Sequence, residues 1–150
     1  MKVEYSKTCD QDLKGINELI QAVRDDPKSI YKPPCFFDAE DIRISDRYIS
    51  FIVKDRDQTI GFIELRGNTS FQDEGSSADI ILFVHPEHKR NRHATNLIKT
   101  IESFAQTETK LKKLIAGIQT GNTPSEILVK LKGFNQDFNS LTGTTYYKYL

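Results

Sequence analysis

A strand, a basic loop and an amphipathic helix follow one another in this chain and constrain its fold more than any other feature. The apolar run 79–84 predicts a buried strand, which ends at Pro86. The helix that follows is expected from roughly Arg92 to Thr107, and a second apolar strand, 114–119, comes after it. Because a helix between two such strands acts as a crossover, the segment predicts a parallel strand pair inside a mixed sheet.

The loop between the first strand and the helix has the character of an anion site. Lys89, Arg90 and Arg92 lie directly before the expected helix. The first N–H groups of a helix have no partner within the helix, and the helix dipole adds partial positive charge at that end. We therefore expect this loop to bind a phosphate group.

The N-terminal third predicts one strand and two helices. Residues 2–8 alternate like a half-buried strand, and apolar residues at helical spacing then continue to about Pro27. Residues 28–34 predict a loop, and Asp38–Ile42 predict a short second helix.

The rest of the chain completes an alternating pattern. Residues 48–53 and 59–65 predict a hairpin, and residues 124–132 predict a helix that ends at Gly133. Two closing strands are expected at 134–139 and 144–150. The predicted fold class is α/β, a central mixed sheet flanked by helices in the order β-α-α-β-β-β-α-β-α-β-β.

Composition narrows the class of protein and its partners. The chain has 150 residues, which suits a single domain over residues 1–150. Its 21 basic and 21 acidic residues cancel, which argues against nucleic-acid or anionic-membrane partners. Cys9 and Cys35 lack the spacing of a disulfide framework or a metal site, so no metal is expected. The N-terminus lacks a signal-like apolar run, so we expect a cytoplasmic protein.

Val84, Pro86, Lys89 and Ala94 keep the spacing of a known phosphate loop. In that motif a strand ends in a Val and is followed by a Pro. The loop then has an Arg or Gln, any two residues, a Gly, any one residue, and a Gly or Ala. Lys89 takes the first position and Ala94 the last, whereas Arg92 stands where the first Gly belongs. On these residues and on the element order, the chain resembles the GNAT (Gcn5-related N-acetyltransferase) family.

A second signature supports this resemblance. Asn122 follows the strand at 114–119, and Gly133 and Phe134 come eleven and twelve residues later, as in the family. The family binds acetyl-CoA and transfers acetyl to an amine, so the resemblance implies acetyl-CoA as co-substrate and a primary amine, on a small molecule or a protein, as acceptor. It also implies the following cofactor-binding residues: Leu82, Phe83, Val84, Lys89, Arg90, Asn91, Arg92, His93, Ala94, Thr95 and Asn122.

The proton-transfer groups familiar in this family are absent here. The usual Glu would share a strand face with Val84, where this chain has apolar residues, and the usual Tyr corresponds to Val129. We therefore assign no catalytic residue. The residues that could stand in are Glu64, Asp79, Tyr146, Tyr147 and Tyr149.

Two functions follow from this mixture of matches and departures. The first is an acyl-CoA-dependent N-acetyltransferase, in which a backbone N–H near Phe83 or Val84 stabilises the oxyanion. The alternative is a catalytically degenerate GNAT-fold protein, viral or accessory, that serves as an interaction or structural component. Arg92 fits either, because it could bind phosphate or obstruct the cofactor. His93 is expected on the helix surface, and a homodimer is compatible with both functions.

Overall fold

The computed structural model describes residues 3–150, in which seven strands form one mixed sheet in the order β1-β2-β3-β4-β5-β7-β6. The strands are β1 (Val3–Lys7), β2 (Tyr48–Asp55), β3 (Gln58–Gly67), β4 (Ser77–Val84), β5 (Lys113–Gln119), β6 (Asn135–Asn139) and β7 (Gly143–Tyr149). The helices are α1 (Leu13–Asp25), α2 (His93–Glu108) and α3 (Thr123–Leu131). The expected mixed sheet flanked by helices is confirmed, although Lys2 of the first strand lies outside the described residues.

The predicted second helix at Asp38–Ile42 is wrong. Residues 39–42 form turns only, in which the N–H of Asp41 donates to the carbonyl of Asp38 and that of Arg43 to the carbonyl of Glu40, both at 3.2 Å. The carboxylate of Asp38 accepts the N–H groups of Glu40 (2.9 Å) and Asp41 (3.2 Å), as a helix N-cap would. The backbone bonds nevertheless span three residues rather than the four of an α-helix. The observed order is therefore β-α-β-β-β-α-β-α-β-β.

The two faces of the sheet are covered by different helices. One face packs against α2 and α3 around Ile63, Leu97 and Leu114, which are fully buried. The other face carries α1, whose residues Ile16 and Ile20 pack with side chains of β2, β3 and β4. Since side chains alternate along a strand, even-numbered residues of β4 face α2 and odd-numbered ones face α1.

β4 and β5 are parallel, as the crossover predicted, and they pair over only a short length. The paired residues are Ser77 with Lys113, Ala78 with Leu114, and Asp79 with Ile115. Beyond these positions the two strands form no further pairs within residues 3–150. We call the space between residues 80–84 of β4 and 116–119 of β5 the cleft.

Candidate functional site

The cleft exposes backbone groups that would otherwise belong to a sheet. The N–H of His85 donates to the carbonyl of Ile60 on β3 at 2.8 Å. Because successive residues of a strand direct their backbone groups to opposite sides, those of Phe83 also point to β3, whereas those of Leu82 and Val84 point into the cleft. One arm of the cleft therefore presents free donors and acceptors to an extended ligand.

The loop at the end of β4 has a backbone shaped for an anion. We call residues 85–92 the anion loop. Arg90 (φ 69°) and Arg92 (φ 63°) both adopt the left-handed conformation, which suits glycine better than arginine. Alternation of left-handed and ordinary residues turns successive N–H groups toward one side and forms an anion-binding concavity.

The first turn of α2 adds donors to the anion loop. The first bond of the helix runs from the N–H of Asn96 to the carbonyl of Arg92, at 3.0 Å. The N–H groups of His93, Ala94 and Thr95 precede it and have no partner within the helix. Arg92 is thus the residue before the helix rather than a member of its first turn, and its side chain makes no capping bond.

Four of the expected site residues are exposed around this loop and two lie deeper. Lys89, Arg90, Asn91 and Arg92 are exposed, while Ala94 and Thr95 are half-buried. These residues follow the C-terminal end of β4 and include three cations and the N–H groups of the first turn of α2. The expectation of a phosphate-sized anion site is therefore consistent with the geometry.

His93 corrects one sequence-based expectation, because it is buried (6% exposed) rather than on the helix surface. Its Nδ1 lies 2.9 Å from the hydroxyl of Tyr5 on β1. Burial lowers the pKa of His93, which favours the neutral imidazole. Its side chain thus anchors α2 to the sheet, and its backbone N–H alone faces the anion loop.

The other arm of the cleft ends at Asn122. Its side-chain oxygen accepts the N–H of Ser125 at 3.4 Å, so Asn122 caps α3. At the far end of α3, Gly133 (φ 88°) terminates the helix, and Phe134 turns into the core with 4% exposure. The spacing of Asn122, Gly133 and Phe134 thus has a structural basis in the two ends of one helix.

A comparison of the sequence with models of protein families gives a match. The sequence model of the acetyltransferase (GNAT) family matches residues 16–134. The chain belongs to the GNAT acetyltransferase family. Acetyl-CoA is the co-substrate of this family, and the comparison gives no support to the alternative of a non-catalytic scaffold.

Solved structures of GNAT proteins share the fold. A GNAT acetyltransferase from Streptococcus pneumoniae is 14% identical, with 99% of this chain and 100% of that chain covered at a TM-score of 0.80. The PaiA N-acetyltransferase of Thermoplasma acidophilum, in complex with coenzyme A, is 14% identical, with 100% of both chains covered at a TM-score of 0.77. YncA of Salmonella typhimurium, a putative acetyltransferase with its cofactor acetyl-CoA, is 15% identical, with 99% and 94% covered at 0.75. A search of curated proteins gave no match.

The position of the missing Tyr and the three tyrosines that could stand in lie in different places. Val129 is buried in the core (4% exposed), and Tyr146 is buried on the same face of the sheet (1% exposed). Tyr147 and Tyr149 contact each other and the ammonium of Lys113, away from the anion loop. Val129 and Tyr146 lie on the α2 side of the sheet. Tyr147 and Tyr149 alternate with Tyr146 and so lie on the α1 side, where Tyr147 pairs with Ile115, the partner of Asp79 on β5.

Glu64 and Asp79 also lie on the α1 side of the sheet, near the base of the cleft. Asp79 is exposed at the last β4–β5 pair, although partial desolvation of its carboxyl by neighbouring groups raises its pKa. Glu64 on β3 is 2% exposed, and burial raises its pKa as well. The hydroxyl of Tyr48 donates to Glu64 Oε1 at 3.1 Å. The sequence indicated Glu64 as a candidate, but nothing in the sequence indicated its hydrogen-bond partner Tyr48.

Two absences are also clear within residues 3–150. No group of three or more His, Cys, Asp or Glu side chains is arranged to hold a metal ion. In the same part of the chain, the helices are too short or too polar to cross a membrane.

Proposed function

We propose that this protein transfers the acetyl group of acetyl-CoA to a primary amine. The observation that carries the proposal is the cleft between β4 and β5, which opens beside the anion loop. An extended chain that ends in a pyrophosphate matches both features at once. Acetyl-CoA has that shape.

Each part of the cofactor has a counterpart in the site. The N–H groups of residues 93–95 and the side chains of Lys89 and Arg92 would hold the pyrophosphate. The backbone groups of Leu82 and Val84 would pair with the amides of the pantetheine arm, as a neighbouring strand does. The side-chain amide nitrogen of Asn122 would bind from the other arm, since only its oxygen serves the helix cap.

The transfer is a nucleophilic substitution at the thioester carbonyl. The neutral amine attacks the carbonyl carbon, the carbon–nitrogen bond forms, and the carbon–sulfur bond then breaks. After the attack the nitrogen loses one proton to the departing CoA sulfur, so the products are an amide and the CoA thiol. Of the two expected oxyanion donors, the N–H of Val84 points into the cleft and that of Phe83 points to β3, so Val84 is the donor we assign.

Calorimetric titration with acetyl-CoA and with CoA tests the cofactor part of this proposal. We expect both to bind, and we expect Lys89→Ala/Arg90→Ala to weaken both by tenfold or more, since two cations leave the anion site. Lys99→Ala/Lys130→Ala is the matched control, because it removes two exposed lysines elsewhere and should bind like the parent.

Transfer itself is measured by the release of CoA thiol from acetyl-CoA in the presence of a panel of primary amines. We expect thiol release that depends on the amine and an acetylated product detectable by mass. If neither acetyl-CoA nor CoA binds the parent at millimolar concentration, the proposed function is wrong.

A further inference from the structure

Glu64 is a buried acid on the α1 side of the sheet, one strand away from the cleft. In the register of β3 and β4 it lies opposite Ile81, the residue before Leu82. Directly opposed residues of an antiparallel pair hold their Cβ atoms about 4.5–5.5 Å apart. The carboxylate of Glu64 is therefore next to the strand whose backbone borders the cleft.

The acceptor can reach the cleft over this part of the sheet. The opposite face of β4 packs into the core under α2, where Ala78 is fully buried and Ile80 is 8% exposed. On the α1 side, by contrast, Ile81 is 38% exposed. A molecule that approaches the cleft from the α1 side passes over Ile81, beside Glu64.

Two groups bond the carboxylate and hold it in place. Tyr48 donates its hydroxyl to Oε1 at 3.1 Å, and Arg66 donates Nη2 to Oε2 at 3.3 Å. The Arg66 side chain is 61% exposed and its guanidinium lies 5.4 Å from the centroid of the Tyr48 ring, so it covers Glu64 from the solvent side. A buried acid that is bonded on one side by a buried hydroxyl and on the other by a solvent-exposed cation can exchange that cation for a substrate cation.

We propose that Glu64 accepts the proton that the acceptor amine must lose before it attacks acetyl-CoA. This inference rests on the proposed function and deepens it. The acceptor ammonium takes the place of the Arg66 guanidinium beside Oε2 and gives one proton to that oxygen. Its nitrogen regains a lone pair, Glu64 becomes a neutral carboxylic acid, and the free amine attacks the thioester. Glu64 returns its proton to water after the acetylated product leaves.

Tyr48 is a positioning residue in this scheme. Burial and the neighbouring carboxylate raise the pKa of its hydroxyl far above the ordinary value, so it stays protonated and remains a donor. The titratable and charged groups that face Glu64 are Tyr48, Arg66, Tyr31 and Asp41, together with Asp79 on the neighbouring strand, two residues before Ile81. Burial raises the pKa of Glu64, and Arg66 and Tyr48 oppose that effect.

The pH dependence of kcat/KM for the parent and its variants tests the proposal. A protonated Glu64 cannot accept a proton, so activity of the parent should fall as pH drops through the raised pKa of Glu64. We expect Glu64→Gln to lose at least about 100-fold in kcat/KM and to lack this acid limb. Glu4→Gln, an exposed Glu on the same sheet, should keep the parent's rate and profile.

Two further variants identify which acid produces the limb. Arg66→Gln removes a cation that favours the charged form of Glu64, so the limb should move to higher pH. Asp79→Asn should leave the limb in place. If Asp79→Asn abolishes the limb, or if Glu64→Gln keeps it with a rate near the parent's, Glu64 is not the proton acceptor.

Measurements of folding and of cofactor binding distinguish a failure of this inference from a failure of the proposed function. Each variant is titrated with acetyl-CoA and melted, and Glu64→Asp replaces Glu64→Gln if the latter fails to fold. Glu64→Asp keeps the carboxyl but withdraws it by one methylene, so it should lower kcat and retain the acid limb. Binding and transfer that persist in Glu64→Gln overturn the inference alone, whereas a parent without any transfer overturns both.

Discussion

The hydroxyl of Tyr5 lies 2.9 Å from Nδ1 of His93, and this contact joins the edge strand β1 to the first turn of α2. The amide nitrogen of Asn96 donates to the same hydroxyl at 3.2 Å. One phenol thus fixes two residues next to the N–H groups that we assign to the pyrophosphate. The position of the anion site therefore depends on β1, although β1 and α2 lie far apart in the sequence.

Tyr5→Phe should therefore weaken both the fold and the cofactor site. Loss of two hydrogen bonds should lower the free energy of unfolding by about 1–2 kcal/mol, as judged from urea denaturation at constant slope. Binding of CoA should weaken severalfold, since the start of α2 is less firmly held. Tyr149→Phe is the control, because Tyr149 is exposed and distant from α2. Equal effects of the two changes would contradict the role assigned to Tyr5.

His93 makes stability depend on pH. Because burial lowers its pKa in the folded protein, the unfolded chain binds the proton more readily. This part of the stability is complete above the unfolded pKa of about 6.5 and is lost as pH falls below it. We expect His93→Asn to show a shallower loss of unfolding free energy between pH 7 and 5 than the parent. A variant slope as steep as the parent's would show that other groups govern this range.

Periodicity predicted the parallel pair of β4 and β5, and it also contained a signal for the burial of His93. The apolar runs of β4 and β5 and the helix between them require a parallel pair, whatever the rest of the chain does. His93 was expected on the surface, although it precedes Leu97 and Ile101 at intervals of four and so lies on their buried stripe. The spacing contained that signal.

Glu64 shows what a sequence pattern cannot supply. Its place in a strand follows from the alternation around it, but its role depends on which strands lie beside β3 and on the register with Ile81. Both are set by contacts between distant parts of the chain. The turn at 39–42 is a local failure of another kind, since Asp38 caps the segment as at a helix start but the backbone bonds that follow span three residues rather than four.

Arg92→Gly should raise stability while it weakens CoA binding. The left-handed conformation costs an arginine about 1–2 kcal/mol, and glycine adopts it freely, so we expect a net gain of up to about 1 kcal/mol in unfolding free energy. Loss of a charge-assisted bond to phosphate should weaken CoA binding by about 1.5–3 kcal/mol. Denaturation and calorimetry measure the two effects separately.

Arg56→Gly is the matched control for this change. Arg56 is also left-handed (φ 59°), but it lies in the turn between β2 and β3. It should gain stability and bind CoA like the parent. If Arg92→Gly instead binds CoA more tightly than the parent, the guanidinium obstructs the site, and our assignment of Arg92 to the pyrophosphate is wrong.

Gly143 and Gly117 allow a test of how closely β7 must approach the β5 arm of the cleft. A Cβ on Gly143 would overlap the backbone carbonyl of Ile118, whereas a Cβ on Gly117 would meet nothing within 4 Å. Backbone atoms cannot move aside as a side chain can, so Gly143→Ala should cost about 1–3 kcal/mol of unfolding free energy and displace the end of β5. Gly117→Ala should change stability by less than about 1 kcal/mol, with a gain rather than a loss, because alanine restricts the unfolded chain.

The midpoints of urea denaturation compare the two variants, and CoA titration shows whether the displaced β5 arm of the cleft still binds. A Gly143→Ala variant as stable as Gly117→Ala would mean that β7 can retreat from Ile118 without loss, so that this arm of the cleft is not rigidly held.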